Sequence, residues 1–160
     1  MLPRIEPFPQ TKLVGQKIFT SFAQDGTYEL WRNFAPRKKE IQNKINGHLY
    51  AVEIYPDTTF FQQFDPTRIF EKWAAVPVAD FDELPNGMEA LTIPEGIYAV
   101  FTYKGKPSDA MDTFRYIYGE WLTNSQYEMD DRPYFALMDE QYKGEHPESE
   151  ETFWIPIRTT

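Results

Sequence analysis

The chain has 160 residues and a formal charge of −9; that length holds one domain, and the acidity argues against nucleic acid or an anionic membrane as partner, since both need basic patches. It contains no cysteine and only two histidines, His48 and His146, which excludes disulfides and Cys-ligated metals and leaves neither a metal nor a cofactor expected. Aromatic residues are in excess, 13 Phe, 10 Tyr and 4 Trp, and such side chains build both ordinary cores and small-molecule pockets.

Taken in order, residues 1–11 carry three prolines and predict an extended lead-in. They show no apolar run of the signal-peptide kind, and no stretch reaches membrane-spanning length, so a soluble cytoplasmic domain is expected. A strand is predicted from Lys12 to Phe22, then a turn at Asp25-Gly26. Thr27 is placed as N-cap of a helix from Tyr28 to about Ile45, with a kink or restart at Pro36 and a stop at Asn46-Gly47. His48 to Tyr55 and Thr67 to Ala74 predict an antiparallel pair, and another short strand is expected between Val76 and Glu95. Gly96 to Tyr103 is the clearest strand; Ser108 or Asp109 caps a second helix whose Phe114, Ile117, Tyr118 and Trp121 fit helical spacing. Tyr134 to Asp139 and Thr152 to Arg158 complete the strands, joined by an acidic loop.

The order is strand–helix–strand–strand, twice. An offset of about 83 residues lays Ile18 on Phe101, Trp31 on Phe114, Phe34 on Ile117 and Val52 on Phe135. The expected fold is therefore α+β: two pseudo-twofold repeats, about 12–80 and 94–158, forming one antiparallel sheet with both helices on one face, within a single domain of residues 1–160.

Four strings in this order and spacing carry a family resemblance. They are Pro94-Glu95-Gly96-Ile97-Tyr98-Ala99-Val100-Phe101, then Tyr118-Gly119-Glu120-Trp121-Leu122, then Asp131-Arg132-Pro133, and finally Phe153-Trp154-Ile155-Pro156-Ile157. The chain resembles the GyrI-like effector-binding domain family, which includes ligand domains of AraC-type and MerR-type multidrug regulators and stand-alone gyrase-inhibitory proteins. The resemblance implies a hydrophobic, aromatic-lined cavity for small molecules, often cationic ones, with a buried acid as counter-charge. It implies a stand-alone binding domain acting in ligand sensing or sequestration. The alternatives it brings are a hydrolase of strained cyclopropanoid genotoxins and an acidic inhibitor or protector of DNA gyrase. The implied partners are a small hydrophobic ligand and a DNA enzyme such as gyrase or a separate regulator chain, without direct nucleic-acid or membrane contact.

Two positions depart from the family pattern, which carries acids where this chain has Ala136 and Thr152. The offset places Glu53 at the counterpart of Ala136, so Glu53 is the candidate replacement acid, able to meet a ligand cation or, in a hydrolase, to act as general acid or base. The other reading of Glu53 is an acid on an open face of the sheet. The remaining candidate ligand contacts are Tyr55, Tyr98, Phe101, Tyr118, Trp121, Tyr134 and Trp154. Tyr98 and Phe101 lie three apart in one strand and must face opposite sides. For Trp154, alternation with Phe153 and Ile155 leaves open which set faces the helices.

Overall fold

The structure, a computed structural model, describes residues 1–160. Nine strands form one antiparallel system: β1 (Arg4–Phe8), β2 (Thr11–Thr20), β3 (Leu49–Ile54), β4 (Phe70–Pro77), β5 (Glu89–Ile93), β6 (Gly96–Lys104), β7 (Tyr127–Met129), β8 (Tyr134–Met138) and β9 (Glu150–Thr159). Their order is β1-β6-β9-β8-β3-β4-β2-β5, with β7 on β9. Helix α1 (Thr27–Phe34) runs into a 3-10 segment, Ala35–Glu40. Helix α2 (Met111–Tyr116) continues through a π-helical turn, Ile117–Trp121, into the short α3 (Leu122–Asn124). The domain is α+β, with both helical segments on one face of the sheet, as the repeated order predicts.

The two ends of the strand order are tied together by the chain itself. Only Pro9-Gln10 separate β1 from β2, and only Pro94-Glu95 separate β5 from β6. Phe8 lies opposite Gly96 and Thr11 opposite Ile93, so one antiparallel register runs across both breaks. Proline has no N–H for a ladder, and here it interrupts the pairing without shifting it. The sheet is thereby drawn round on itself. The face away from the helices is filled by side chains from every strand but β7, among them Phe8, Val52, Trp73, Ile93, Tyr98, Phe135 and Trp154.

The register also displays the pseudo-twofold relation. Val52 pairs with Phe135, its own counterpart 83 residues on, within the β3–β8 ladder. On the helix face, Leu30 and Phe34 of α1 pack on Val14, Ala74 and Val76, whereas Ile117 packs with Ala99, Phe101, Phe153 and Ile155.

Several local expectations are corrected. The lead-in is not merely extended, since it supplies β1, and β7 was not foreseen. The first helix ends at Phe34 because Pro36 cannot donate within it; the 3-10 segment takes over and Ile45 lies exposed beyond. Gly26 rather than Thr27 occupies the N-cap, because the Thr27 amide and hydroxyl both donate to Asp25. Ser108 caps nothing: its hydroxyl donates to Glu145 at 2.7 Å, and α2 starts at Met111.

Gly96 stands at the β5–β6 bend for a steric reason. A Cβ there would lie 2.1 Å from the Arg132 guanidinium. That group donates to Asp130 at 2.7 Å and to the Ile97 and Ile157 carbonyls at 2.7 and 3.1 Å, and it sits over the Tyr98 ring.

Candidate functional site

Strand alternation sends Tyr50 and Val52 to the inner face and Ala51, Glu53 and Tyr55 to the helix face. Glu53 lies opposite Lys72 of β4 on one side and Tyr134 of β8 on the other. Lys72 Nζ is 3.1 Å from Glu53 Oε1, and the two side chains are only 13% and 12% exposed. The Tyr55 hydroxyl donates to Glu53 Oε2. Both carboxylate oxygens are thus engaged from within the chain.

Above this carboxylate the β3–β4 connection and the second helical segment form aromatic walls. Phe60, Phe61 and Phe64 come from the connection, whose ends are pinned locally. Asp57 accepts from Thr59 and Arg68, which hold its carboxyl down at about 2, and Asp65 accepts from Thr67 at 2.7 Å. The π-helical turn contributes Tyr118, which stacks on Phe61 with centroids 3.9 Å apart and planes 9° from parallel. A π turn re-aims the side chains of its turn, and such turns recur at functional sites.

The result is a cavity of about 560 Å³ lined by Phe22, Glu53, Tyr55, Phe61, Phe64, Pro66, Met111, Phe114, Arg115, Tyr118 and Gly119. A smaller recess of about 350 Å³ shares Phe61, Tyr118 and Gly119 with it, so the Phe61–Tyr118 stack forms the common wall. Glu53 and Arg115 are the only charged lining side chains, and Arg115 pairs with Asp112 at 3.3 Å where both are exposed.

Burial, with the charge of Glu53 nearby, holds the phenols of Tyr55, Tyr118 and Tyr134 well above the usual tyrosine range. The Tyr118 hydroxyl is buried and has no hydrogen-bond partner. A second acid faces the helix side from β9: burial pushes the Glu151 carboxyl up to about 7, with Glu145 adding to that rise and Lys72 opposing it.

Of the residues singled out from sequence, the structure brings Glu53, Tyr55 and Tyr118 together in one cavity. Tyr134 lies on the same face, across the ladder from Glu53, but not in the cavity lining. Phe101 and Trp121 pack on each other with centroids 5.3 Å apart, also on the helix face and outside the lining. Tyr98 and Trp154 point to the inner face, 5.9 Å apart, because they share the parity of Val100 and Phe135 rather than that of the helix-facing set. Ala136 is buried on the helix face opposite Ala51, and Thr152 accepts the Trp154 indole N–H at 2.9 Å.

Three charged residues escaped sequence reasoning: Arg115 of the cavity lining, Glu151 and Lys72. Glu151 had only a partial signal: it shares the parity of Phe153 two residues on, and alternation alone does not say which face that is. Lys72 had none, because its place opposite Glu53 follows from the register of β3 on β4.

Residues 4–157 match the family Cass2, described as integron-associated effector binding protein. The transcriptional regulator BrlR of Pseudomonas aeruginosa is 30% identical over 159 residues, which are 98% of this chain and 56% of the regulator, so the chain spans just over half of that relative. Among solved structures, SAV2435 bound to tetraphenylphosphonium superposes with a TM-score of 0.74 at 16% identity, covering 99% of this chain and 94% of the other. An integron cassette protein from the mobile metagenome of Vibrio cholerae gives 0.71 at 15% identity, covering 98% and 96%. At those identities the likeness is one of fold.

Proposed function

The chain belongs to the family of integron-associated effector-binding proteins, and from that premise we propose that its aromatic cavity binds a small hydrophobic molecule, for ligand sensing or sequestration in the cytoplasm. The observation that carries this reading is the convergence of Glu53, Tyr55 and Tyr118 at a cavity of about 560 Å³ walled by phenylalanines. That volume lies within the range of small-molecule pockets, which combine apolar walls with a few placed polar groups. The tetraphenylphosphonium held by SAV2435 supports a ligand built from aromatic rings. The likeness to BrlR supports an effector role in transcription regulation. A hydrolytic role would need a carboxylate free to take a proton from water, whereas both oxygens of Glu53 are already engaged.

The test is a thermal-shift screen of the purified chain with hydrophobic cations, neutral planar molecules and anions. A ligand that binds only the native state raises the melting temperature; saturation at a hundred times Kd stabilises by about 2.7 kcal/mol. The shift should disappear in Phe64→Glu, which puts a charge in a wall at a position already 48% exposed and so spares the fold. Absence of any stabilising molecule across a broad library would reject the reading.

A further inference from the structure

Lys72 does not line the cavity, yet it decides what charge the cavity presents. Its ammonium lies 3.1 Å from Glu53 Oε1 and the pair is nearly enclosed, so the two charges cancel at short range in a poorly solvated place. A cation arriving through the cavity would meet a carboxylate already neutralised, with a second positive charge behind it. To gain a full ion pair it would have to draw Glu53 away from Lys72. That would leave the nearly enclosed ammonium with only Glu151, a carboxyl that burial itself pushes toward its neutral form, as a facing acid, which is unfavourable. The other charged lining residue, Arg115, is itself positive. The polar group left unused is the Tyr118 hydroxyl: its side chain lines the cavity while the hydroxyl is buried and unpartnered, so an acceptor reaches it by displacing the side chains that cover it. A buried donor of this kind carries a desolvation cost that an incoming acceptor removes. The Tyr55 hydroxyl is not available, since it already donates to Glu53.

Resting on the binding reading above, we propose that Lys72 sets the ligand class: by holding Glu53 in an internal ion pair it makes this cavity a site for an uncharged aromatic molecule carrying a hydrogen-bond acceptor, and disfavours lipophilic cations. Tyr118 supplies the donor, and the phenylalanine walls hold the rings.

The experiment uses probes of similar shape and different charge, tetraphenylphosphonium as cation and triphenylphosphine oxide as neutral acceptor, titrated calorimetrically into wild type and Lys72→Met. Wild type should bind the neutral probe about tenfold more tightly or better. In Lys72→Met the cation should gain about tenfold or more, because Glu53 is released, while the neutral probe changes by less than about threefold. The double variant Lys72→Met/Glu53→Gln removes both charges, avoids an unpaired buried carboxylate should the single variant fail to fold, and should return the cation to weak binding. Wild-type preference for the cation, or a cation-to-neutral ratio that Lys72→Met leaves unmoved, would overturn the proposal while leaving the cavity a binding site. If neither probe binds wild type or either variant, the binding reading falls and this inference with it.

Discussion

The two faces of the sheet are built from neighbouring residues of the same strands and do opposite things with polar groups. On the inner face, three aromatic side chains settle their polar atoms within the chain: Tyr98 donates to the Pro133 carbonyl at 3.0 Å, Trp154 to Thr152 at 2.9 Å and Trp73 to Glu71 at 2.6 Å. On the helix face, Glu53, Lys72 and Glu151 are carried into partly or largely buried positions, and the Tyr118 hydroxyl is left without a partner beside a cavity. Buried polar groups are ordinarily satisfied. The other buried atom left open, Arg132 Nη1, belongs to a guanidinium whose remaining nitrogens are engaged. The Tyr118 hydroxyl has no hydrogen bond at all and its ring lines the cavity, so the helix face is the one we associate with ligand. The inner face is the part that holds the sheet round.

That division is broken most severely from the inside. Trp154 is buried and stacks near-parallel on Phe135, with Phe8 against its edge. Trp154→Ala should cost about 3–5 kcal/mol in urea unfolding, the range for truncating a large buried aromatic. Trp121→Ala, which removes a half-buried ring on the helix face, should cost clearly less. Equal losses would mean that the inner face is no more of a core than the cavity side.

The second test is electrostatic and belongs to the helix face alone. Glu151 titrates near 7 in the folded chain against an ordinary value of 4.5, through burial. The folded state therefore keeps a proton that the unfolded chain has lost, and stability falls as pH rises from about 4.5 through about 7. Facing groups are Lys72, Glu145 and the phenols of Tyr103, Tyr134 and Tyr142. Glu151→Gln should remove that slope, leaving the variant about 3 kcal/mol more stable than wild type at pH 8 and similar near pH 4.5. Asp57 has the opposite sign: held at about 2 by Arg68 and Thr59, it loses its contribution only as pH falls through that lower range. A stability profile of Glu151→Gln that parallels wild type from pH 4.5 to pH 8 would count against a buried carboxyl at this site.

The sequence showed much of this plan and hid specific parts of it for physical reasons. Element order and the 83-residue offset were readable because apolar periodicity marks elements locally, and Val52 does pair with its counterpart Phe135. The same offset led to Glu53, which enters the cavity. The closing of the sheet through Pro9 and Pro94 was not readable, since it depends on pairing between distant segments, Phe8 with Gly96 and Thr11 with Ile93. Trp154 and Phe153 differ in face by a single residue of register, and alternation alone fits either assignment. Lys72 was invisible for the same reason: strand order names the partner strand, and only register names the partner residue.

Register also makes a prediction at Gly15. A Cβ at this position of β2 would lie 2.0 Å from the Ala74 carbonyl oxygen and 2.7 Å from the Ala75 Cα, both fixed backbone atoms of β4. Gly15→Ala must therefore push two paired strands apart where the sheet turns in on itself. The expected loss is about 1–3 kcal/mol, the usual cost of overpacking, read as a lower urea midpoint. An unchanged midpoint would show that β2 and β4 are less closely apposed than this.

The smallest effect separates the faces by sign. Tyr98→Phe and Tyr118→Phe delete the same hydroxyl from two buried phenols. At Tyr98 the hydroxyl donates to Pro133, so its loss leaves that carbonyl short of a partner and should destabilise by about 1 kcal/mol. At Tyr118 the hydroxyl has no partner to lose, and its removal relieves a desolvation cost, so the unliganded chain should gain up to about 1 kcal/mol. The gain should reverse once a ligand with an acceptor is bound, because the wild-type hydroxyl then makes a hydrogen bond that phenylalanine cannot. Paired unfolding curves with and without triphenylphosphine oxide read both quantities from the same two proteins. If Tyr118→Phe destabilises the free chain as much as Tyr98→Phe does, the hydroxyl is satisfied inside the fold, and the helix face holds no donor in reserve for a ligand.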